Sequence, residues 1–402
     1  MPTPHILAVN IGSSSLKFAL YAFDAPHDDL APTTFSGSYE GLEPGGEPQL
    51  HMTLVGERRM AALRMRGNSP MAAALADLQA RVGSHLGANH LLAVSHRIVH
   101  GGTRYVEPVV LDDALLAELD ALAPLAPLHQ PHNLAGVRAF MQAMPRVPQV
   151  GCFDTAFHHS QADLETRFAL PRALHDQGVR RYGFHGLSYD YVSGWLQTHT
   201  VRGNGRVVMA HLGNGASLCA TRHGQSVATT MGFSALDGLM MGTRCGTLDA
   251  GVVLHLLSQG LDHDALVQLL YSQSGLLGVS GISADMRKLH QSQAPEAREA
   301  VELFVHRAVR EAGGLIAVLQ GLDVLAFTGG IGEHDAAVRA AMVQGLGFLG
   351  LRLDEAVNAQ ADGSGAMAIH AADSSAEIWV IPTDEGRVAA RAAWSLLGPQ
   401  AA

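Results

Sequence analysis

Ile6-Leu7-Ala8-Val9-Asn10-Ile11-Gly12-Ser13-Ser14-Ser15-Leu16-Lys17-Phe18-Ala19-Leu20 is an apolar run, a turn of small residues ending in a lysine, and a second apolar run. The pattern predicts a buried strand, a tight turn and a returning strand. Far down the chain, Val207-Val208-Met209-Ala210-His211-Leu212 enters Gly213-Asn214-Gly215-Ala216-Ser217 and leaves through Leu218-Cys219-Ala220. An ungapped overlay brings Gly12 onto Gly213. The repeat predicts an internal duplication in which each half supplies one hairpin, its turn facing a shared cleft.

Such turns suit phosphate. Glycine lets backbone N–H groups approach closely and point together, while serine hydroxyls and a lysine add donors and charge. A single copy would read equally well as an ordinary Gly/Ser hairpin; two matched copies favour the phosphate reading. Neither turn is a P-loop, because Lys17 follows Gly12 without the second glycine that G-x-x-x-x-G-K-[ST] requires. A third cluster, Thr328-Gly329-Gly330-Ile331-Gly332-Glu333-His334, follows the apolar run Val324-Leu325-Ala326 and precedes a helical pattern. It lacks the last glycine of G-x-G-x-x-G, so it does not support a dinucleotide site.

At 402 residues the chain has room for two domains, and 47% apolar against 16% charged residues is a globular balance. A net charge of -10 with no basic stripe argues against nucleic acid as a partner. Anionic substrates must then be met locally, by individual arginines. The three cysteines, Cys152, Cys219 and Cys245, show no C-x-x-C spacing, so neither a disulfide framework nor a zinc site is expected. Met1-Pro2-Thr3-Pro4-His5 has no basic stretch, and Asn10 and Gly12 interrupt the apolar run after it, so a signal peptide is not expected. No stretch reaches the roughly 18 apolar residues of a membrane span. The expected setting is cytoplasmic, without membrane or nucleic-acid partners. Apolar stripes predict helices over Asp112 to Leu122 and Ala297 to Leu319, whereas Asp24 to Pro70 reads as an insertion of strands and loops.

Phosphoryl transfer needs neutralisation of a metaphosphate-like transition state, a magnesium site and positioning of both partners. Arginine is the expected residue for carboxylate and phosphate, because its planar fork donates two parallel hydrogen bonds. Arg97 precedes the glycine pair of Arg97-Ile98-Val99-His100-Gly101-Gly102, and Arg244 lies between glycines in Gly242-Thr243-Arg244-Cys245-Gly246. Asp154 follows an apolar run in Cys152-Phe153-Asp154-Thr155, where a catalytic or metal-ligating acid, or a helix cap, fits. His185 stands between glycines in Tyr182-Gly183-Phe184-His185-Gly186, one of 22 histidines. His129-Gln130-Pro131-His132 has H-x-x-H spacing, but the proline and the lack of a third nearby ligand speak against a metal. The residues by themselves lead as far as a two-lobed ATP phosphotransferase.

Taken together these motifs resemble the acetate kinase family, within the sugar kinase, Hsp70 and actin superfamily, over essentially the whole chain. The resemblance rests on their order: Asn10 to Lys17, His96 to Gly102, Phe153 to His158, Tyr182 to Gly186, His211 to Gly215, Met240 to Arg244, Ser283-Ala284-Asp285-Met286-Arg287, Gly329 to Glu333, and Thr383-Asp384-Glu385. It implies a duplicated, two-domain α/β fold of the sugar kinase/Hsp70/actin type (ribonuclease H-like) with an interdomain active-site cleft. One lobe would be 1–150 plus 386–402 and the other 151–385.

The resemblance further implies reversible transfer of the ATP γ-phosphoryl to acetate, giving acetyl phosphate and ADP, by a homodimer using Mg2+ or Mn2+. Asp154, His185, Arg244 and Arg97 are the implied catalytic residues; Arg97, Val99, Leu128, Phe184 and Ala235 the substrate pocket. The implied nucleotide residues are Lys17, His211, Leu212, Gly213, Asn214, Gly215, Asp285, Met286, Arg287, Gly330, Ile331, Gly332, Glu333 and His334, and the implied metal positions Asn10 and Glu385. Ala235 replaces a usual proline, which leaves propionate or another short-chain carboxylate as the alternative acceptor. Tyr189 replaces a usual histidine, Thr247 and Ala250 a usual Asp and Pro, and His334 a usual Asn. A non-catalytic nucleotide-binding module of the same superfamily would not need Arg97, Arg244 and Asp154.

Overall fold

The computed structural model describes residues 3–12, 14–23, 33, 35–43, 46–54, 57–62, 70–127 and 129–398. Two compact units emerge, 1–156 with 384–402, and 157–383. The expected boundaries at 150 and 385 lay Asp154 and Glu385 in the second lobe, whereas both fall in the first unit. The reason is continuity: the strand leading to Asp154 runs unbroken through Phe153 in the first sheet, and Glu385 opens a helix that packs on that sheet.

Among the described residues the first unit has an eight-stranded sheet: β1 (Pro4–Ile11), β2 (Ser15–Ala22), β3 (Phe35–Glu40), β4 (Gln49–Leu54), β5 (Glu57–Ala62), β6 (His90–Ile98), β7 (Val109–Val110) and β8 (Gln149–Phe153), in the order β5-β4-β3-β2-β1-β6-β8-β7. β1 is central, antiparallel to β2 and parallel to β6, which explains why Ile6, Leu7, Ala8 and Val9 form an apolar run without alternation. Leu7, Val9 and Ile11 pack with Leu78 and Val82 of the helix Pro70–Leu86 and Phe140 of the helix Gln130–Ala143. On the opposite face Ser95 Oγ donates 2.7 Å to the Ala389 carbonyl of the helix Glu385–Leu397, and Tyr21 OH donates 2.6 Å to Asp384, the cap of that helix. Strands β3 to β5 account for much of the expected insertion over 24–70.

The second unit has β9 (Arg206–Leu212), β10 (Ala216–Arg222), β11 (Gln225–Thr229), β12 (Val324–Thr328), β13 (Met367–Ala368) and β14 (Glu377–Val380), in the order β11-β10-β9-β12-β14-β13. One face carries the helix Pro295–Leu319, the other the helix Gly186–His199, whose Tyr189, Val192 and Leu196 pack on Val207, Met209 and Ala326.

The duplication is visible in the strand orders. β3-β2-β1-β6-β8 and β11-β10-β9-β12-β14 are each a three-stranded antiparallel meander followed by two strands parallel to its first. This is the ribonuclease H-like fold, twice. The overlay of the two hairpins holds through Gly12 and Gly213 and then slips by one position. Ile11 pairs with Leu16 across the first turn, whereas Leu212 pairs with Ala216 across the second.

Candidate active site

Within the first unit, Asp154 is fully buried at the end of β8, its backbone N–H bonded to the Ile98 carbonyl. Its carboxylate takes the fork of Arg97 from the neighbouring β6, with Nη2 to Oδ2 at 2.5 Å and Nε to Oδ1 at 3.0 Å. Glu385 Oε2 lies 3.5 Å from Arg97 Nε. Burial pushes the Arg97 pKa down, but the two carboxylates outweigh it and hold the guanidinium charged. Arg97 is thus a cation flanked by two acids, both of which it meets through Nε or Nη2. Asn10 and Lys17 sit directly opposite each other beside the first turn, with Lys17 exposed.

Val99, buried, opens the loop after β6. That loop is held by side chains from the helix Gln130–Ala143: Val99 N–H donates 3.0 Å to Asn133 Oδ1, and Gln130 exchanges hydrogen bonds with His100, its Oε1 accepting at 3.2 Å and its Nε2 donating at 3.0 Å. Thr155 Oγ1 accepts from Gly101 N–H. Leu128, the other expected pocket residue here, lies outside the described residues.

Within the second unit, Arg244, His185 and the turn Gly213–Gly215 converge. A Cβ on Gly215 would sit 2.6 Å from Arg244 Nη2 and 3.3 Å from His185 Nε2, so only a bare Cα leaves room for both groups. Arg244 Nη1 donates 2.6 Å to the Ala235 carbonyl, and burial pulls its pKa down to about 10, still a cation at neutral pH. Its turn is sewn to a helix start by Ser274 N–H to Thr243 O and Leu276 N–H to Met241 O, at 2.9 and 2.8 Å. His211 stacks on His185 with ring centroids 4.2 Å apart. Phe184 is buried, its carbonyl 2.9 Å from His158 Nε2.

Beside the same turn is a cavity of about 790 Å³ lined by Gly213, Asn214, Asp285, Met286, Arg287, Gly330, Ile331 and His334, with His290 and Asp335 among its other walls. Leu212, Gly332 and Glu333, also expected at the nucleotide, are not among its lining residues. Glu333 Oε1 accepts from Gly329 N–H at 2.9 Å and Thr383 N–H at 3.2 Å. Gly329 has φ +73°, and a Cβ there would lie 2.8 Å from the Leu212 carbonyl, so this turn requires glycine. The volume and mixed polar lining suit a nucleotide.

A family model of the acetokinase family matches residues 5–391. The chain belongs to the acetokinase family. An acetate kinase of Rhodopseudomonas palustris is 48% identical over 401 residues, covering 97% of this chain and 98% of its own. Among solved structures, a propionate kinase from Francisella tularensis subsp. tularensis SCHU S4 superposes with a TM-score of 0.87 at 33% identity, covering 98% of this chain and 99% of its own. The acetate kinase of Porphyromonas gingivalis gives 0.85 at 33% identity, covering 98% and 100%.

In this acetokinase several supporting residues carry no signal of their own in the sequence. Gln130 and Asn133 belong to a stretch that reads as a poor H-x-x-H metal motif. Ser217 reads as a hairpin residue, yet its Oγ lies 2.8 Å from His185 Nδ1. Arg339 is fully buried; it donates to the carbonyls of Gly332, Glu333, Asn358 and Ala361 and to Asn358 Oδ1, all at 2.8–2.9 Å.

Proposed function

We propose that this member of the acetokinase family phosphorylates acetate. An acetate carboxylate oxygen attacks the γ-phosphorus of ATP in line, the bond from that phosphorus to the β–γ bridging oxygen breaks, and acetyl phosphate and ADP result. The observation that carries the reading is the pair of arginines, each held beside a phosphate-type turn or its acid: Arg97 forked on Asp154, and Arg244 against Gly215 beside His185. Arg97 and Arg244 meet the carboxylate and the transferring phosphoryl, whose negative oxygens their fixed forks match. His185 donates to the equatorial phosphoryl oxygens. Asp154 keeps Arg97 oriented, and the likeness to the family assigns Val99, Leu128, Phe184 and Ala235 to the acetate methyl. The nucleotide lies in the cavity between Asp285–Arg287 and Gly330–His334, with the turn Gly213–Gly215 toward its phosphates; the likeness to the family adds Lys17 to the phosphate-binding residues.

Asn10 and Glu385 offer an amide oxygen and a carboxylate, the hard oxygen donors that Mg2+ or Mn2+ prefers, and the remaining positions suit water and phosphate oxygens. Bound there, the ion would supply positive charge against the charge that develops on the phosphates. With ATP as co-substrate the working compartment is the cytoplasm. We also assign a homodimer: the helix Ala250–Ser258 buries none of its residues and exposes Val252, Leu254 and Leu257, an apolar face that a second copy covers.

Ala235 favours propionate as a second acceptor, since an alanine in place of a ring leaves space for one more methylene. Hydroxylamine trapping tests the reading: with ATP, magnesium and acetate the purified chain should accumulate acyl hydroxamate. ATP consumption without hydroxamate would overturn it.

A further inference from the structure

The ring of His185 is tied from behind through two buried hydroxyls. His185 Nδ1 lies 2.8 Å from Ser217 Oγ, and Ser217 Oγ lies 2.6 Å from the phenol oxygen of Tyr189. Ser217 and Tyr189 are both fully buried. Tyr189 is one turn along the helix that His185 begins, so the helix itself sets the spacing of the ends of this chain of contacts. His185 enters that helix in the left-handed conformation, φ 58°, and stacks on His211, whose Nδ1 is held 2.8 Å from Ser188 Oγ. The ring therefore cannot turn without breaking several contacts.

The proton count along this chain fixes a tautomer. Burial pushes the Tyr189 phenol well above its ordinary pKa, so it stays protonated; the phenol oxygen takes a backbone hydrogen bond from His211, and Ser217 Oγ at 2.6 Å is the acceptor within reach of its proton. Ser217 has one proton of its own, which then goes to His185 Nδ1. Were Nδ1 protonated instead, Ser217 would receive two donors and hold a proton with no acceptor, a costly arrangement in a buried place. With Nδ1 accepting, the ring proton sits on Nε2, the atom that faces the Gly215 position alongside Arg244 Nη2.

We propose that Tyr189 is a positioning residue which, through Ser217, holds His185 as the Nε2–H tautomer and so aims a hydrogen-bond donor at the transferring phosphoryl. The inference rests on the reading of His185 as a phosphoryl-binding group. It is specific to this chain, in which a tyrosine stands where the family resemblance leads one to expect histidine.

Nitrogen-15 NMR of the ring gives a readout independent of turnover, with the His185 signals identified by their absence from His185→Gln. The native chain should show a protonated Nε2 and an unprotonated Nδ1 at neutral pH. Tyr189→Phe, which removes only the hydroxyl, should give a mixture of tautomers and lower kcat about 10- to 100-fold, leaving the KM for acetate and ATP within about twofold. Ser217→Ala should lose as much, and the double variant no more than Ser217→Ala alone. Tyr189→His, which restores a donor, should recover part of kcat. A native ring protonated on Nδ1 would overturn the proposal even in an active enzyme. So would a Tyr189→Phe variant with native kcat and native tautomer, or losses that simply add. Absence of acyl phosphate from the native chain would instead strike the functional reading and leave the tautomer result standing.

Discussion

Arg97 and Arg244 illustrate how one residue type acquires two sets of consequences. Arg244 is held by a backbone carbonyl and by its turn, so Arg244→Ala should leave stability nearly intact while lowering kcat/KM by 10²–10³-fold, roughly 3–4 kcal/mol of transition-state stabilisation. Lysine at 244 should rescue poorly, since it cannot both reach the Ala235 carbonyl and present a second parallel donor. Arg97→Ala should cost activity and stability together, because it strands the fully buried Asp154 carboxylate, a loss of about 3–5 kcal/mol. Unfolding midpoints and kcat/KM on the two alanine variants separate these cases; near-normal acyl phosphate formation by Arg244→Ala removes it from the mechanism. At Ala235 the relevant quantity is chain length. An added methylene is worth about 0.8 kcal/mol when buried, so propionate should be a good substrate. Ala235→Pro, which keeps the carbonyl that Arg244 uses, should shift the acetate-to-propionate ratio of kcat/KM toward acetate. An unchanged ratio would show that Ala235 does not set chain length.

The short helices at the cavity beside Gly213 are tied together by Arg339. Its five N–H groups all find oxygens, four of them carbonyls at the C-terminal ends of Gly329–His334 and Glu355–Gln360, where a cation also meets the favourable end of the helix dipole. Arg339→Met should remove about 3–5 kcal/mol of stability by leaving those oxygens unpaired, and raise the KM for ATP more than that for acetate. Identical denaturant midpoints and KM values would contradict this role. Nothing in the sequence around Arg339 advertises it, because its partners are backbone carbonyls, which every residue has. The same holds for Gln130 and Asn133, which act on backbone atoms of the loop after β6. By contrast, the hairpins of Gly12 and Gly213 and the glycine pair at 329–330 were legible, since apolar runs ending in glycine have few other uses. The Tyr189–Ser217–His185 chain was not, because its members come from a helix and a strand far apart in sequence.

At the scale of the whole molecule the duplication was legible from two matched hairpins, but the place where one half gives way to the other was not. The sequence between Val150 and Asp154 shows no break, and only pairing of β8 with β6 assigns Asp154 to the first unit. Both units share an acid sensitivity. Burial depresses the pKa of His96 and His100 in the first unit and His158 in the second to about 4. In the unfolded chain these rings titrate near 6.5, so between the two values the unfolded state binds more protons. The stabilisation is complete above about pH 6.5 and is lost as pH falls toward about 4, on the order of 3 kcal/mol for each ring. The melting temperature should therefore be level from pH 8 to 7 and fall steeply between 6.5 and 4; a level profile across that window would contradict the burial of these rings as neutral groups. The most direct test of the chemistry itself runs the reaction backwards: acetyl phosphate, ADP and magnesium are mixed with the native chain and followed by phosphorus-31 NMR. The acetyl phosphate signal should be replaced by the β- and γ-phosphates of ATP in equal measure; release of inorganic phosphate without ATP, or an unchanged spectrum, would contradict transfer between a carboxylate and a nucleotide.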